Sequence, residues 1–111
     1  MAKDLKFVIL LDFYGGLLTE KQALALDCYY NQDLSLSEIA DDMGISRQGV
    51  MAFLKQGEKH LKDFEEKLGL AKRFHKISKG LYNMRQIAQN MPENAERDEL
   101  IKLIDSISHN I

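Results

Sequence analysis

The stretch that decides the fold is residues 35–54, SLSEIADDMGISRQGVMAFL. Its small residue Ala40 allows two helices to cross closely, and Gly44 can leave the first helix in a left-handed conformation without steric cost. Ile45 fills the turn, and Ser46 can cap the next helix by accepting from its free N–H groups. This order and spacing are typical of a helix-turn-helix.

Apolar residues on either side of this turn predict a shared core. Ile39 and Met43 precede the turn, and Val50 and Phe53 follow it, at spacings that point them towards one another. The alternative is an ordinary helical hairpin with a glycine turn. Each feature of the motif is common alone, but together and in this order they are specific, and we therefore predict a helix-turn-helix.

The second helix of such a unit enters the major groove of DNA with its N-terminal residues facing the base edges. Arg47 suits guanine or a phosphate, Gln48 suits adenine, and Met51 suits a thymine methyl. Lys55 and Lys59 lie farther along and suit phosphates. The predicted DNA-binding residues are Ser46, Arg47, Gln48, Met51, Lys55 and Lys59.

Two features of the motif weaken this prediction. Gly49 and Gly57 lie inside the second helix, and each costs about 1 kcal/mol of helix propensity. Asp41 and Asp42 lie close by and would repel a phosphate backbone. The unit could therefore bind nucleic acid weakly, or contact a protein instead.

The N-terminal third of the chain predicts two further helices. Residues 4–14 show helical spacing up to the Gly15-Gly16 stop. The residues at that spacing are Leu5, Val8, Ile9 and Asp12. Thr19 followed by Gln22 is a capping box, which predicts a second helix through about Asn31.

Three apolar seams in the C-terminal half alternate steps of three and four residues, as in a coiled coil. The first contains Val50, Leu54, Gly57, Leu61, Phe64 and Leu68. The second, after a break at Gly69, contains Leu70, Phe74, Ile77, Leu81, Met84, Ala88 and Met91. The third, beyond Pro92, contains Leu100, Ile104, Ile107 and Ile111. Such helices must bury their stripes, so we predict a helical hairpin that also offers a dimer surface.

These patterns predict an all-α protein with two parts. Residues 1–68 form the helix-turn-helix domain, and residues 69–111 form an extended helical hairpin. We expect the segment from Leu61 to Ile111 to drive self-association as a homodimer.

Charge is distributed unevenly along the chain. The net charge of −2 argues against a protein that coats nucleic acid by charge alone. Residues 67–92, however, contain no Asp or Glu, so a basic helix is available to a phosphate backbone or an acidic partner. The alternative is a solvated helix face. The candidates for phosphate or RNA contact are Lys72, Arg73, Lys76 and Lys79.

Nothing in the sequence favours an enzyme or a bound cofactor. His60, His75 and His109 are scattered, and neither a metal-ligand spacing nor a nucleophile elbow is present. The single cysteine, Cys28, is expected to be a small buried residue. No apolar run reaches the length of a membrane span, and no cleavage site follows the N-terminus, so we expect a cytoplasmic protein.

The motifs resemble region four of bacterial sigma factors and, more closely, the YlxM-like family of small bacterial DNA-binding proteins. The resemblance lies in Asp12-Phe13-Tyr14-Gly15, Leu17 to Gln22, Ile45 to Gln48, and Glu58 to Leu70. It covers at least Leu5 to Leu70, and Gly49 departs from it where alanine is expected.

The resemblance implies a sigma-region-four-like helix-turn-helix, no catalytic residues and a link to the signal recognition particle pathway. We therefore predict a helix-turn-helix DNA-binding protein that regulates transcription. The alternative is a non-enzymatic adaptor that uses the same core as a scaffold and binds RNA or protein, including signal recognition particle components, through its basic helix.

Overall fold

The computed structural model describes residues 3–111, and all regular elements within that range are helical. The α-helices are α1 (Lys6–Tyr14), α2 (Glu20–Leu26), α3 (Leu36–Met43), α4 (Arg47–Leu68), α5 (Leu70–Gln89) and α6 (Ala95–His109). A 3-10 turn, Gly15–Leu17, follows α1, and one π-helical turn, Asp27–Asn31, extends α2. The predicted all-α class is confirmed.

Capping boxes begin two of these helices. The Thr19 hydroxyl accepts from the N–H of Gln22 at 3.2 Å, while the Gln22 side chain accepts from the N–H of Thr19. Ser35 and Glu38 form the same reciprocal pair at the start of α3. Each box satisfies N–H groups that the first helical turn leaves unpaired, and so fixes where the helix starts.

The turn between α3 and α4 has the predicted geometry. Gly44 is left-handed, with φ 67° and ψ 33°, and ends α3. The N–H of Ile45 returns to the carbonyl of Ala40 at 3.1 Å, which closes the turn beneath the small side chain. Ile39, Ala40 and Val50 are buried together. The helix-turn-helix is therefore present.

Helix α4 is the central element of this part of the chain, because α1, α2 and α3 all pack against it. The residues of α4 that these contacts bury are Val50, Leu54, Gly57 and Leu61. The first predicted seam is thus covered within the chain over most of its length, and it ends at Leu68, which is exposed.

The face that α1 buries differs from the predicted one. Phe7, Leu10 and Tyr14 enter the core, whereas Leu5 and Ile9 are 74% and 53% exposed. Residues 7–11 are apolar without interruption, so their periodicity could not distinguish the two faces.

Packing divides the chain into two compact units, the first ending at Ala71 and the second spanning Lys72–Ile111. The sequence-based boundary falls between residues 68 and 69. In the second unit α5 and α6 form the predicted hairpin around buried Leu81, Ala88 and Ile104.

The predicted extent of the self-association segment needs one correction. Leu61 is completely buried in the core of the first unit, so that segment cannot begin there. Separately, no helix within residues 3–111 is both long and apolar enough to cross a membrane.

Candidate nucleic-acid interface

The start of α4 is held firmly while its outer face stays exposed. The Ser46 hydroxyl accepts from the N–H of Gly49 at 3.0 Å, which fixes the first turn of the helix. Ile45 is half-buried and packs against the core behind this turn. Ser46, one of the predicted contact residues, therefore already uses its hydroxyl oxygen to cap α4.

An open groove of about 500 Å³ runs along the exposed face of the first turns of α4. Its lining residues are Leu36, Arg47, Gln48, Met51, Ala52 and Lys55. Four of the predicted DNA-binding residues thus line one surface. None of the described residues that line this groove is acidic.

Arg47 and Lys55 supply the positive charge of this groove. The Nη1 atom of Arg47 lies 3.4 Å from the Ser37 hydroxyl, across the turn on α3. Neither Arg47 nor Lys55 forms an ion pair within residues 3–111. Both guanidinium and ammonium groups therefore remain available to an anionic ligand.

Beyond the groove, a stripe of lysines continues along α4. Lys55, Lys59 and Lys62 follow one another at steps of four and three residues, and all three are exposed. Lys59 lies outside the groove, about 18 Å along the helix axis from Arg47 at 1.5 Å per residue. Lys62 was not among the predicted residues, although the same spacing could have identified it. Leu36 was also missed, because an apolar residue in the first turn of α3 carries no distinctive signal.

The nearest carboxylate on α4 is restrained by a hydrogen bond. Glu58 lines a second groove of about 300 Å³, and its Oε1 accepts from the Tyr30 hydroxyl at 2.7 Å. Burial, together with this bond to Glu58, raises the pKa of the Tyr30 hydroxyl above its ordinary value, so Tyr30 stays protonated. Asp41 and Asp42 are exposed on α3 but do not line the first groove.

The other predicted set of cations lies on α5, in the second unit. All of its members are exposed: Lys72, Arg73, Lys76 and Lys79. Each unit therefore carries a basic surface of its own.

Cys28 is buried, and burial raises the pKa of its thiol, with the charges of Asp27 and Asp42 acting in the same direction. A neutral buried thiol is a poor nucleophile. Among residues 3–111 no three His, Cys, Asp or Glu side chains are grouped so that they could hold a metal ion.

Comparison with known proteins gives consistent matches. The family model described as "Putative helix-turn-helix protein, YlxM / p13 like" (UPF0122) matches residues 1–104. A UPF0122 protein of Thermoanaerobacter sp. (strain X514) is 43% identical over 112 residues, which cover 100% of this chain and 96% of that protein. A UPF0122 protein of Halalkalibacterium halodurans is 40% identical over 107 residues, covering 96% and 95% of the two chains. The UPF0122 protein of Clostridium kluyveri is 38% identical over 111 residues, covering 100% of both. The chain belongs to this YlxM / p13-like helix-turn-helix family.

Proposed function

We propose that this member of the YlxM / p13-like family binds duplex DNA through the first turns of α4 and acts without catalysis. The observation that carries the proposal is the groove formed by Arg47, Gln48, Met51 and Lys55. It combines two cations, one amide and one thioether on the helix face that a helix-turn-helix presents to the major groove. Its lack of carboxylates leaves that face open to an anion.

The dimensions of α4 assign different roles to its residues. Arg47 and Gln48, in the first turn, would meet the base edges, and both side chains can make paired hydrogen bonds to a purine. Lys59 lies about 18 Å farther along the axis, which exceeds the roughly 12 Å width of the major groove. Lys59 would therefore meet a phosphate at the edge of the groove rather than a base.

The charge of the first unit limits how DNA can be bound. Residues 3–71 contain eight Lys or Arg and twelve Asp or Glu, a net charge of −4. Such a unit gains nothing from net attraction to DNA, so binding must come from the local arrangement around α4. With about three phosphate contacts, the logarithm of affinity should fall with the logarithm of salt concentration at a slope of about −3.

The test is a titration of labelled duplexes, first selected from a random pool, with fluorescence anisotropy as the readout. Arg47→Ala should weaken binding to the selected sequence by about 1 to 3 kcal/mol and binding to unrelated duplexes much less. Lys59→Ala should weaken binding to every duplex alike and reduce the slope of affinity against salt concentration by about 0.9. Lys21→Ala, an exposed lysine on α2 outside both grooves, is the matched control. If Arg47→Ala and Lys55→Ala combined leave every DNA affinity unchanged, the proposal is wrong.

A second candidate function is an adaptor that binds RNA or protein through α5. The observation that favours it is charge, since residues 72–111 contain seven basic and five acidic residues, a net charge of +2. The link to the signal recognition particle and a role in transcription are supported by the family resemblance. Adding signal recognition particle RNA to the same titration distinguishes the candidates. The adaptor requires that Lys72→Ala with Lys79→Ala weaken RNA binding while Arg47→Ala does not.

A further inference from the structure

One side of the α5–α6 hairpin carries a large exposed apolar surface. Its members are Ile77, Met84 and Ile87 on α5, Met91 in the turn after α5, and Leu100, Leu103 and Ile107 on α6. They are between 40% and 66% exposed. Scattered single apolar residues are normal on a protein surface, but seven large ones grouped on one hairpin mark an interaction site.

These residues lie on the same side because of the way the two helices pair. The Nε of Arg97, near the start of α6, donates to the carbonyl of Ala88, near the end of α5. Farther from the turn, Nη1 of Arg85 lies 3.5 Å from Oδ1 of Asp105, and Leu81 and Ile104 share one buried cluster, so the helices are antiparallel. On α5, Ile77 and Met84 lie four residues before and three after buried Leu81. The corresponding positions on α6 repeat this pattern: Leu100 and Ile107 lie four before and three after buried Ile104.

At about 100° per residue, Ile77 and Met84 lie to one side of buried Leu81 around the axis of α5. Leu100 and Ile107 are rotated in the same direction from buried Ile104 around the axis of α6. In antiparallel helices that face each other, equal rotations about each helix's own direction bring both sets to one side of the pair. The hairpin therefore has a continuous apolar face, formed by the seven exposed residues named above.

Charged residues follow the same positional pattern and mark the two ends of this apolar face. Arg73 and Lys76 lie eight and five residues before Leu81, whereas Glu96 and Glu99 lie eight and five before Ile104. All four are exposed and lie on the side of the apolar face. Since the helices are antiparallel, the basic pair lies at one end of the apolar face and the acidic pair at the other.

We propose that a second copy of this chain covers the apolar face in a two-fold symmetric dimer, with the two hairpins packed face to face and antiparallel. A two-fold axis near the level of Leu81 and Ile104 brings the basic end of each hairpin onto the acidic end of its partner. A parallel arrangement would instead oppose like charges.

The proposed dimer does not depend on DNA binding. The surface that joins its two chains is the apolar face of the hairpin. It does not include Lys72 and Lys79, which point away from α6, nine and two residues before Leu81. Closed two-fold pairing also explains why a single hairpin can leave so much apolar surface uncovered by its own chain.

Sedimentation velocity of the full-length chain, over a range of micromolar concentrations, tests the proposal. The unaltered chain should dimerise, and Arg73→Glu with Lys76→Glu should raise the dimer Kd at least about tenfold, as should Glu96→Lys with Glu99→Lys. Mixing these two variants in equal amounts should restore dimerisation, because both ends of the mixed dimer then pair opposite charges. Lys79→Glu with Lys102→Glu reverses two exposed charges that point away from the neighbouring helix, outside the apolar face, and should leave the dimer unchanged.

A second pair of substitutions tests the apolar face itself. Ile87→Glu with Leu103→Glu alters residues that are 66% and 56% exposed, so the hairpin should keep its helical circular dichroism and lose dimerisation. A full-length chain that stays monomeric throughout the range overturns the proposal. It is equally overturned if the mixture of the two charge-reversed variants associates no better than either variant alone.

Discussion

At Gly57, α2 and α4 approach so closely that no side chain fits between them. A Cβ atom built there would lie 2.6 Å from Cδ1 of Leu26, which is itself completely buried. Because Leu26 is fully enclosed, its side chain could move only by displacing packed neighbours. From the sequence, Gly57 was expected only to lower the helix propensity of α4. In the structure it is the residue that lets α4 lie against α2.

Replacing Gly57 by alanine should therefore destabilise the first unit by about 1 to 3 kcal/mol, although alanine favours helix by about 1 kcal/mol. Gly80→Ala is the matched control, since a Cβ at this exposed position on α5 meets nothing within 4 Å. It should stabilise its helix by up to about 1 kcal/mol. Urea unfolding monitored by circular dichroism measures both changes, and a stabilised Gly57→Ala protein would contradict the close packing inferred here.

At the scale of elements, a part-buried hydrogen-bond network within the first unit binds the N–H groups of the first two residues of α5. The Tyr14 hydroxyl donates to Oε1 of Glu65 at 2.6 Å and accepts from the N–H of Leu70 at 2.9 Å. The same Glu65 oxygen accepts from the N–H of Ala71 at 3.0 Å. Two side chains from α1 and α4 thus satisfy free N–H groups at the start of α5, where a negative charge is favoured.

This network predicts a loss of stability at alkaline pH. Burial raises the pKa of the Tyr14 hydroxyl above its ordinary 10.0, and the hydrogen bond to Glu65 adds to the effect. Below pH 10 the phenol is neutral whether the chain is folded or unfolded, so its contribution is complete. Above that pH the unfolded chain loses the proton first, and stability should fall by about 1.4 kcal/mol per pH unit for this group.

Tyr30 and Cys28 also have raised pKa values, so they contribute to the same pH profile. Both remain in Tyr14→Phe, and the difference between the two proteins therefore isolates the contribution of Tyr14. Near neutral pH the variant should be less stable by about 1 to 3 kcal/mol, since Leu70 and Glu65 lose a partner. The difference from the unaltered protein should shrink as pH rises above 10. Urea unfolding monitored by near-ultraviolet circular dichroism measures it, and parallel pH profiles for the two proteins would exclude this role of Tyr14.

The sequence predicted those elements whose ends depend on local chemistry. The capping hydroxyls of Thr19 and Ser46 and the left-handed Gly44 each act within a few residues of their own position. The buried face of α1 could not be predicted in this way, because tertiary contacts chose Phe7 from an uninterrupted apolar run. The requirement for Gly57 was equally hidden, since it arises from Leu26 on another helix.

At the scale of the whole molecule, the two units differ in how much core they have. The first buries eleven apolar residues in one cluster, whereas the second buries only Leu81, Ala88 and Ile104. The candidate DNA surface could be predicted because the helix-turn-helix fixes which face of α4 is exposed. The seams predicted on α5 and α6 include most of the apolar face but not Ile87 and Leu103, because which apolar residues stay exposed depends on how the two helices pair.

This difference predicts that the second unit owes much of its stability to dimerisation. A hairpin of forty residues with three buried apolar side chains is at the size below which domains usually need disulfides, metals or oligomerisation to be stable. If the apolar face is covered by a second copy, the stability of Lys72–Ile111 must increase with protein concentration, whereas that of the first unit need not.

Amide hydrogen exchange, measured by mass spectrometry at two protein concentrations, follows the stability of the two units separately. Amides of α5 and α6 should exchange more slowly at the higher concentration, and those of α2 to α4 at an unchanged rate. Arg73→Glu with Lys76→Glu should reduce this dependence in the same concentration range, while Lys79→Glu with Lys102→Glu should preserve it. Equal exchange of α6 at both concentrations, under conditions where the chain sediments as a mixture of monomer and dimer, would show that this hairpin is stable without its partner.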